Sequence, residues 1–290
     1  MSDFLEQVIA ERRADIARAK AKVPAEALAI SPPRWRVVGR PGGQQVTAGR
    51  GGMGDPFTVA LRMLHGRLGV IAEVKRRSPA LGTLSADADP AVLALAYEAA
   101  GATAISVLTE PRHWGGSLED LVAVSEAVRI PVLCKDVIVD EYQIVQARAA
   151  GADAVLLIAE ALTDEELHRF IARANMLGMG VLVEAHEPVA FGRAVAAGTM
   201  VVGVNARNLR RPTEIDVGRV RQLHTFAREG QILVAESGIE SVDDARLLPA
   251  RVDAVLVGTA LMRSADPAPL IRGIAASRRS RTPRSVTVRP

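Results

Sequence analysis

Eight short runs of valine, isoleucine, leucine and alanine recur along this chain from residue 70 onward, and their spacing constrains the fold more than any other feature. They occupy 70–75, 104–109, 131–136, 154–160, 180–186, 201–207, 232–237 and 254–261. Runs apolar at both alternating positions are the pattern of strands buried on both faces. Successive runs begin 34, 27, 23, 26, 21, 31 and 22 residues apart, leaving room each time for one helix and two short loops. Alanine-rich amphipathic segments such as 90–100 and 118–128 supply those helices. Glycines at 101, 151, 178 and 198 stand where a helix would end in a left-handed residue. Ser117 with Asp120, and Ser241 with Asp244, predict capping boxes that open the following helices. Eight such units favour a (β/α)8 barrel. The rival open sheet expects a glycine fingerprint after its first strand, whereas the turn here reads Lys75-Arg76-Arg77-Ser78-Pro79. The fold class expected is α/β, a single (β/α)8 TIM barrel with an N-terminal helical extension.

Before the barrel, residues 3–22 form a charged amphipathic pattern with Phe4, Leu5, Val8, Ile9, Ile16 and Ala17 at helical spacing. Seven glycines and one proline fall between Gly39 and Gly54, which predicts an irregular loop leading into a short helix near 57–64. The division expected is 1–56 for the extension, 57–275 for the barrel and 276–290 for a basic tail. Five arginines lie in the last thirteen residues without an acid among them. Subtracting them from the formal net charge of +3 leaves the rest at −2, so nucleic-acid binding is not expected. The chain is 49% hydrophobic but only 3% aromatic, so its core is aliphatic. A single cysteine, Cys134, excludes an intrachain disulfide. With no apolar signal core and no run long enough for a membrane span, a soluble cytoplasmic protein is the default.

Charges sit at the carboxyl ends of several core runs: Glu73, Lys75, Lys135 and Glu184. Ionised groups in such a setting are costly unless paired or used, and barrel active sites lie at this end. Side chains alternate along a strand, so Glu73 shares a face with Lys75, and Asn205 with Arg207. If these face inward, the mouth holds two carboxylates, two lysines, an arginine and an amide, suited to proton transfer on an anionic, oxygen-rich substrate. A purely structural ion network is the plainer alternative. Ser237-Gly238 and Gly258-Thr259 close the seventh and eighth runs, the usual barrel position for phosphate, where small residues and a helix N-terminus receive the anion. Cys134 should face away from Lys135 into the core. The five histidines show no metal-ligand spacing, so no metal is expected. Trp114 could wall the site or anchor a loop.

Taken together, 71–79 (IAEVKRRSP), 105–109 (ISVLT), 115–121 (GGSLEDL), 131–136 (PVLCKD), 147–158 (ARAAGADAVLLI), 182–184 (LVE), 205–209 (NARNL), 235–239 (AESGI) and 256–262 (LVGTALM) resemble the indole-3-glycerol-phosphate synthase family, in order over about 57–273. The resemblance implies a (β/α)8 enzyme of tryptophan biosynthesis working without metal or organic cofactor. Its substrate would be 1-(2-carboxyphenylamino)-1-deoxyribulose 5-phosphate, which cyclises, loses carbon dioxide and then loses water. Lys135 stands at the family's general acid, Glu184 at its general base, and Lys75 near the substrate carboxylate with a share in dehydration. Glu73 would stabilise positive charge developing on the anilino system. Asn205, Arg207, Trp114, Ser78 and Pro79 fall on substrate-binding positions, with Ser78 toward the phosphate and Arg207 suited to the carboxylate. Ser237, Gly238, Gly258 and Thr259 fall around the phosphate. A lysine acid works best with its pKa lowered toward neutrality, so a lowered value is expected for Lys135.

The departures are local. Ala80-Leu81-Gly82 replaces a more usual Ser-Lys-Gly, so Arg76 and Arg77 are expected to supply the missing charge. Trp114 stands for phenylalanine, Thr259 for serine and Ala206 for asparagine. A changed substrate preference, another sugar-phosphate barrel chemistry and a silent barrel acting as a binding partner are the competing readings. The partner expected is a phosphorylated small molecule, with no nucleic acid and no membrane, on a monomer or weak homodimer.

Overall fold

The computed structural model describes residues 3–30, 36–39, 45–48, 54–64 and 66–277. All eight apolar runs form strands: β1 (Gly69–Val74), β2 (Ala104–Leu108), β3 (Val132–Lys135), β4 (Ala154–Ile158), β5 (Gly180–Ala185), β6 (Val201–Asn205), β7 (Ile232–Glu236) and β8 (Ala254–Val257). They pair in sequence order, all parallel, and β8 returns to β1 with Ala254 opposite Gly69 and Val257 opposite Ala72. The last run ends sooner than its composition suggests, because residues Thr259–Arg263 turn into a helix.

Helices cover the outside of the barrel. Pro90–Ala99 starts behind Asp89, whose carboxylate accepts from the amides of Ala91 and Val92. It stops at Gly101, whose φ of 97° belongs to the left-handed cap the sequence predicts. Ser241 and Asp244 form the reciprocal capping box expected of them. Ser117 and Asp120 complete only half of theirs. Ser117 accepts from the Asp120 amide at 3.0 Å, while the Asp120 carboxylate is taken by the Arg76 guanidinium. Thr163 and Glu166 make a further full box, beyond the two predicted.

A helix crosses each end of the barrel. Pro56–Arg62, capped by Asp55 accepting from Thr58 N at 2.8 Å, lies at the strand starts with every residue from Pro56 to Leu61 buried. Phe57 packs against Gly180, and Leu61 with Leu64 against Gly69. At the opposite end runs Phe4–Lys22, whose buried residues Leu5, Val8, Ile9 and Ile16 follow the predicted spacing, joined by Arg12.

The glycine-rich stretch departs from expectation. Arg36–Gly39 and Gln45–Ala48 pair as an antiparallel ladder, Arg36 opposite Ala48 and Gly39 opposite Gln45. The β-branched Val37, Val38, Val46 and Thr47 favour strands, a local preference that the glycine count of the whole stretch conceals. Residues 40–44 and 49–53, and the basic tail from 278, lie outside the described residues.

Candidate active site

The carboxyl ends of the strands converge on one open cavity of about 310 Å³, within the range of small-molecule sites. Every residue named above as catalytic, substrate-binding or phosphate-binding lines it, except Ser78 and Pro79. Ser78 is buried in a two-residue ladder, Arg77–Ser78 against Gly82–Thr83, and this turn reaches the cavity through Ala80 and Leu81 instead. Arg76 and Arg77 do not line the cavity either. Arg76 pairs with Asp120, and Arg77 donates to the Arg112 carbonyl at 3.4 Å. The charge expected of them therefore serves the packing of neighbouring loops.

Two ion clusters occupy the mouth. Lys75 Nζ lies 2.6 Å from Glu73 Oε1. Lys135 Nζ lies 2.9 Å from Glu184 Oε2 and 3.4 Å from Glu236 Oε2. Burial disfavours the Lys135 ammonium, but the Glu184, Glu236 and Glu73 carboxylates outweigh it and hold the group well above the ordinary lysine value. This overturns the expectation of a lowered pKa. Glu73 shows the mirrored balance: burial raises it, while Lys75, Lys135 and Arg207 together pull it below the usual glutamate value. Burial, then the adjacent Glu184 carboxylate, push Glu236 well above the usual glutamate range.

Glu236 is the principal site residue that sequence reasoning undervalues. It ends β7 opposite Asn205, so the two share the inward face. The run ILVAE carries the same signal as the run VLVE that ends at Glu184, an acid closing an apolar strand. In the sequence it passes for the lead-in to a phosphate turn. Two glycines make room for these acids. A Cβ on Gly203 would collide with Glu236 Oε1, and one on Gly258 would collide with Glu73 Oε1 and meet Lys75 Nζ at 3.0 Å.

The cavity roof is likewise not apparent from sequence. Phe4, Leu5 and Val8 of the N-terminal helix line the cavity. Their apolar stripe is visible in the chain, but nothing in it says which surface it covers. Polar links hold the helix across the mouth. Arg12 forks onto Asp136, directly after Lys135, at 3.0 and 2.7 Å, and Thr109 Oγ1 donates to the same carboxylate at 2.8 Å. His113 Nε2 lies 2.7 Å from Glu11, and Arg112 reaches Asp15 at 2.6 Å. Glu110 accepts from the amides of Arg112, His113 and Trp114, which shapes the loop that presents Trp114. The Trp114 ring lies 6.0 Å from that of Phe4, so it walls the cavity and anchors the helix at once. Cys134 is buried, 3.4 Å from Thr109 Oγ1, and burial pushes its thiol up to about 12. It belongs to the core, as expected.

At the far side, Ser237 Oγ donates to Asn205 Oδ1 at 2.8 Å, and the same oxygen accepts from Arg207 N at 3.0 Å. Ser237 has a φ of 66° and Gly238 follows at 74°. A serine in the left-handed region costs about 1–2 kcal/mol, a strain typical of turns that serve a ligand. Both residues line the cavity, where turn backbone can approach an anion closely. The helix after Gly258 has only five residues, so its dipole adds little.

The comparisons with known proteins agree with this geometry. The family model described as indole-3-glycerol phosphate synthase matches residues 43–274. Among similar proteins, indole-3-glycerol phosphate synthase of Nocardioides sp. (strain ATCC BAA-499 / JS614) is 52% identical over 70% of this chain and 78% of its own. That of Parafrankia sp. (strain EAN1pec) is 49% identical over 73% and 80%. Indole-3-glycerol phosphate synthase 2 of Streptomyces coelicolor (strain ATCC BAA-471 / A3(2) / M145) is 47% identical over 75% and 84%. A thiamine phosphate pyrophosphorylase from Pyrococcus furiosus superposes with a TM-score of 0.54 at 18% identity, over 73% of this chain and 95% of that one. That likeness concerns the fold alone. A family match across the whole barrel, with similar proteins of one name, leads to one assignment: the chain belongs to the indole-3-glycerol phosphate synthase family.

Proposed function

We propose that this mouth closes the indole ring of 1-(2-carboxyphenylamino)-1-deoxyribulose 5-phosphate, releasing carbon dioxide and water to give indole-3-glycerol phosphate. The observation that carries the reading is the Lys135 ammonium, held between Glu184 and Glu236 inside a cavity with an aromatic wall. The ring carbon bearing the carboxylate attacks the ribulose carbonyl, and the oxygen gains negative charge. Lys135 donates a proton to that oxygen. Its raised pKa keeps it charged at neutral pH, so it acts by a fixed positive charge at the oxygen as much as by proton transfer. Carbon dioxide then leaves with its electron pair returning to the ring.

Loss of the hydroxyl as water requires an acid at oxygen and a base at the ring. Glu184 takes the ring proton, and Lys75 or Glu236, whose pKa burial raises, serves the departing hydroxyl. Glu73 stands opposite the developing positive charge on nitrogen. Arg207 and Asn205 hold the substrate carboxylate and orient the sugar. Ser237, Gly238, Gly258 and Thr259 receive the phosphate. A substrate with both a carboxylate and a phosphate does not cross a membrane unaided, so the reaction belongs in the cytoplasm where such substrates are made. Among the described residues, no helix is long and apolar enough to cross a membrane.

The test is to incubate purified protein with the carboxyphenylamino-deoxyribulose phosphate and follow product by fluorescence, with Lys135→Ala beside it. Product from the wild type and none from the variant is the expected result. A folded wild type that forms no product overturns the reading.

A further inference from the structure

The phosphate corner poses a problem of charge. The substrate class proposed above brings a dianion, and the turns after β7 and β8 offer hydroxyls and backbone amides, while the Lys75 ammonium beside Gly258 is already paired with Glu73. Four basic side chains line the cavity: Lys75, Lys135, Arg207 and Arg263. Lys75 is paired with Glu73, and Lys135 with Glu184 and Glu236. The Arg207 guanidinium donates to the Pro212 carbonyl and is half-buried on the β6 side. Arg263 differs from all three. It is exposed, and among the described residues its side chain has no hydrogen-bond or ion-pair partner.

Its place in the chain directs it to the phosphate corner. Arg263 closes the short helix that begins at Thr259, four residues later and therefore on the same face. Helical side chains lean back toward the helix start, and Arg263 lines the same cavity as Gly258 and Thr259. Glu240, exposed after the strained Ser237-Gly238 turn, lines the same cavity and adds a negative charge. With Lys75 neutralised by Glu73 and no further cation opposite Glu240, the corner would repel the group it is shaped to receive.

We propose that Arg263 is the unpaired cation of the phosphate site, offsetting Glu240 and pairing with the phosphate dianion of the substrate. This rests on the function proposed above for the choice of substrate, but not for the presence of an anion site. Arginine suits the task because its planar fork meets phosphate oxygens two at a time.

The experiment uses inorganic phosphate as the probe, titrated calorimetrically into wild type, Arg263→Gln and Arg263→Lys, with steady-state kinetics on the same proteins. Loss of one charge-assisted contact at a partly open site should weaken phosphate binding roughly tenfold in Arg263→Gln. KM should rise by a similar factor with kcat nearly unchanged, and Arg263→Lys, which keeps the charge without the fork, should recover part of both. A solvated surface arginine would leave phosphate affinity unmoved. Equal phosphate affinity in wild type and Arg263→Gln, or no phosphate binding to the wild type, overturns the proposal. Weakened phosphate binding in a protein that turns over no substrate would keep the anion site and remove only the substrate assignment.

Discussion

Each end of the barrel is crossed by a helix, and the two helices work by opposite means. Pro56–Arg62 seals the strand starts with buried apolar side chains, Phe57 and Leu61 pressed against glycines of β5 and β1. Phe4–Lys22 spans the strand ends on polar links to loops after β2, β3 and β6, and leaves a cavity beneath it. The first arrangement gains from burial and resists water. The second keeps charges desolvated enough to be strong and open enough to meet a substrate. A barrel thus keeps stability at one end and chemistry at the other.

The largest effects are expected at the centres of these two ends. Lys135→Ala should lower kcat about a thousandfold, the scale of a positioned general acid, with thermal unfolding showing a folded protein. Phe57→Ala should do the reverse, costing about 3–5 kcal/mol of stability in denaturant titrations while kcat per folded molecule stays within a few-fold. If Phe57→Ala abolished turnover in a fully folded protein, the two ends would not be separable. Arg12→Met leaves Asp136 buried without its guanidinium, and should cost about 3 kcal/mol of stability together with a higher KM, since the helix carries the cavity roof.

Glycine substitutions probe the same contrast on a smaller scale. Gly258→Ala forces Glu73 and Lys75 apart and should cost about 1–3 kcal/mol, read as lower kcat/KM. Gly192, on an outer helix with nothing near its would-be Cβ, provides the control. Gly192→Ala should be neutral or stabilising by up to ~1 kcal/mol. The smallest effects lie in pH dependence. Glu236 has a raised folded pKa, so the folded state keeps a proton that the unfolded chain releases near pH ~4.3. That contribution is present at lower pH and is lost as pH rises through the folded value. Wild type should therefore lose thermal stability relative to Glu236→Gln as pH climbs. Glu73 is lowered, so its contribution is present above the ordinary glutamate value and disappears as pH falls through the folded one. Glu73→Gln should therefore converge on wild type in acid.

What the sequence discloses follows from where the physics is local. Strand burial writes itself into Val70, Ile71 and Ala72, and helix ends into Gly101, so the barrel can be read one segment at a time. Glu73, Lys75, Lys135 and Glu184 are legible because a charge at the end of an apolar run must be either paired or put to use. The pKa of Lys135 is not, because its sign depends on three carboxylates from β1, β5 and β7 meeting in space. The roof residues Phe4, Leu5 and Val8 stay hidden for the same reason, since a stripe shows what is covered but not what covers it. Within the glycine-rich stretch, composition over sixteen residues conceals a four-residue strand, Gln45–Ala48.

The Arg12–Asp136 fork has a consequence for the newborn chain. Residue 12 leaves the ribosome long before residue 136, and the barrel closes only when β8 reaches β1, some 185 positions further along from Gly69 to Ala254. Until then the roof helix has no rim to rest on, and its apolar stripe must wait in solvent or in borrowed shelter. The roofed cavity is therefore completed only when the Phe4–Lys22 helix docks onto a ring closed by β8.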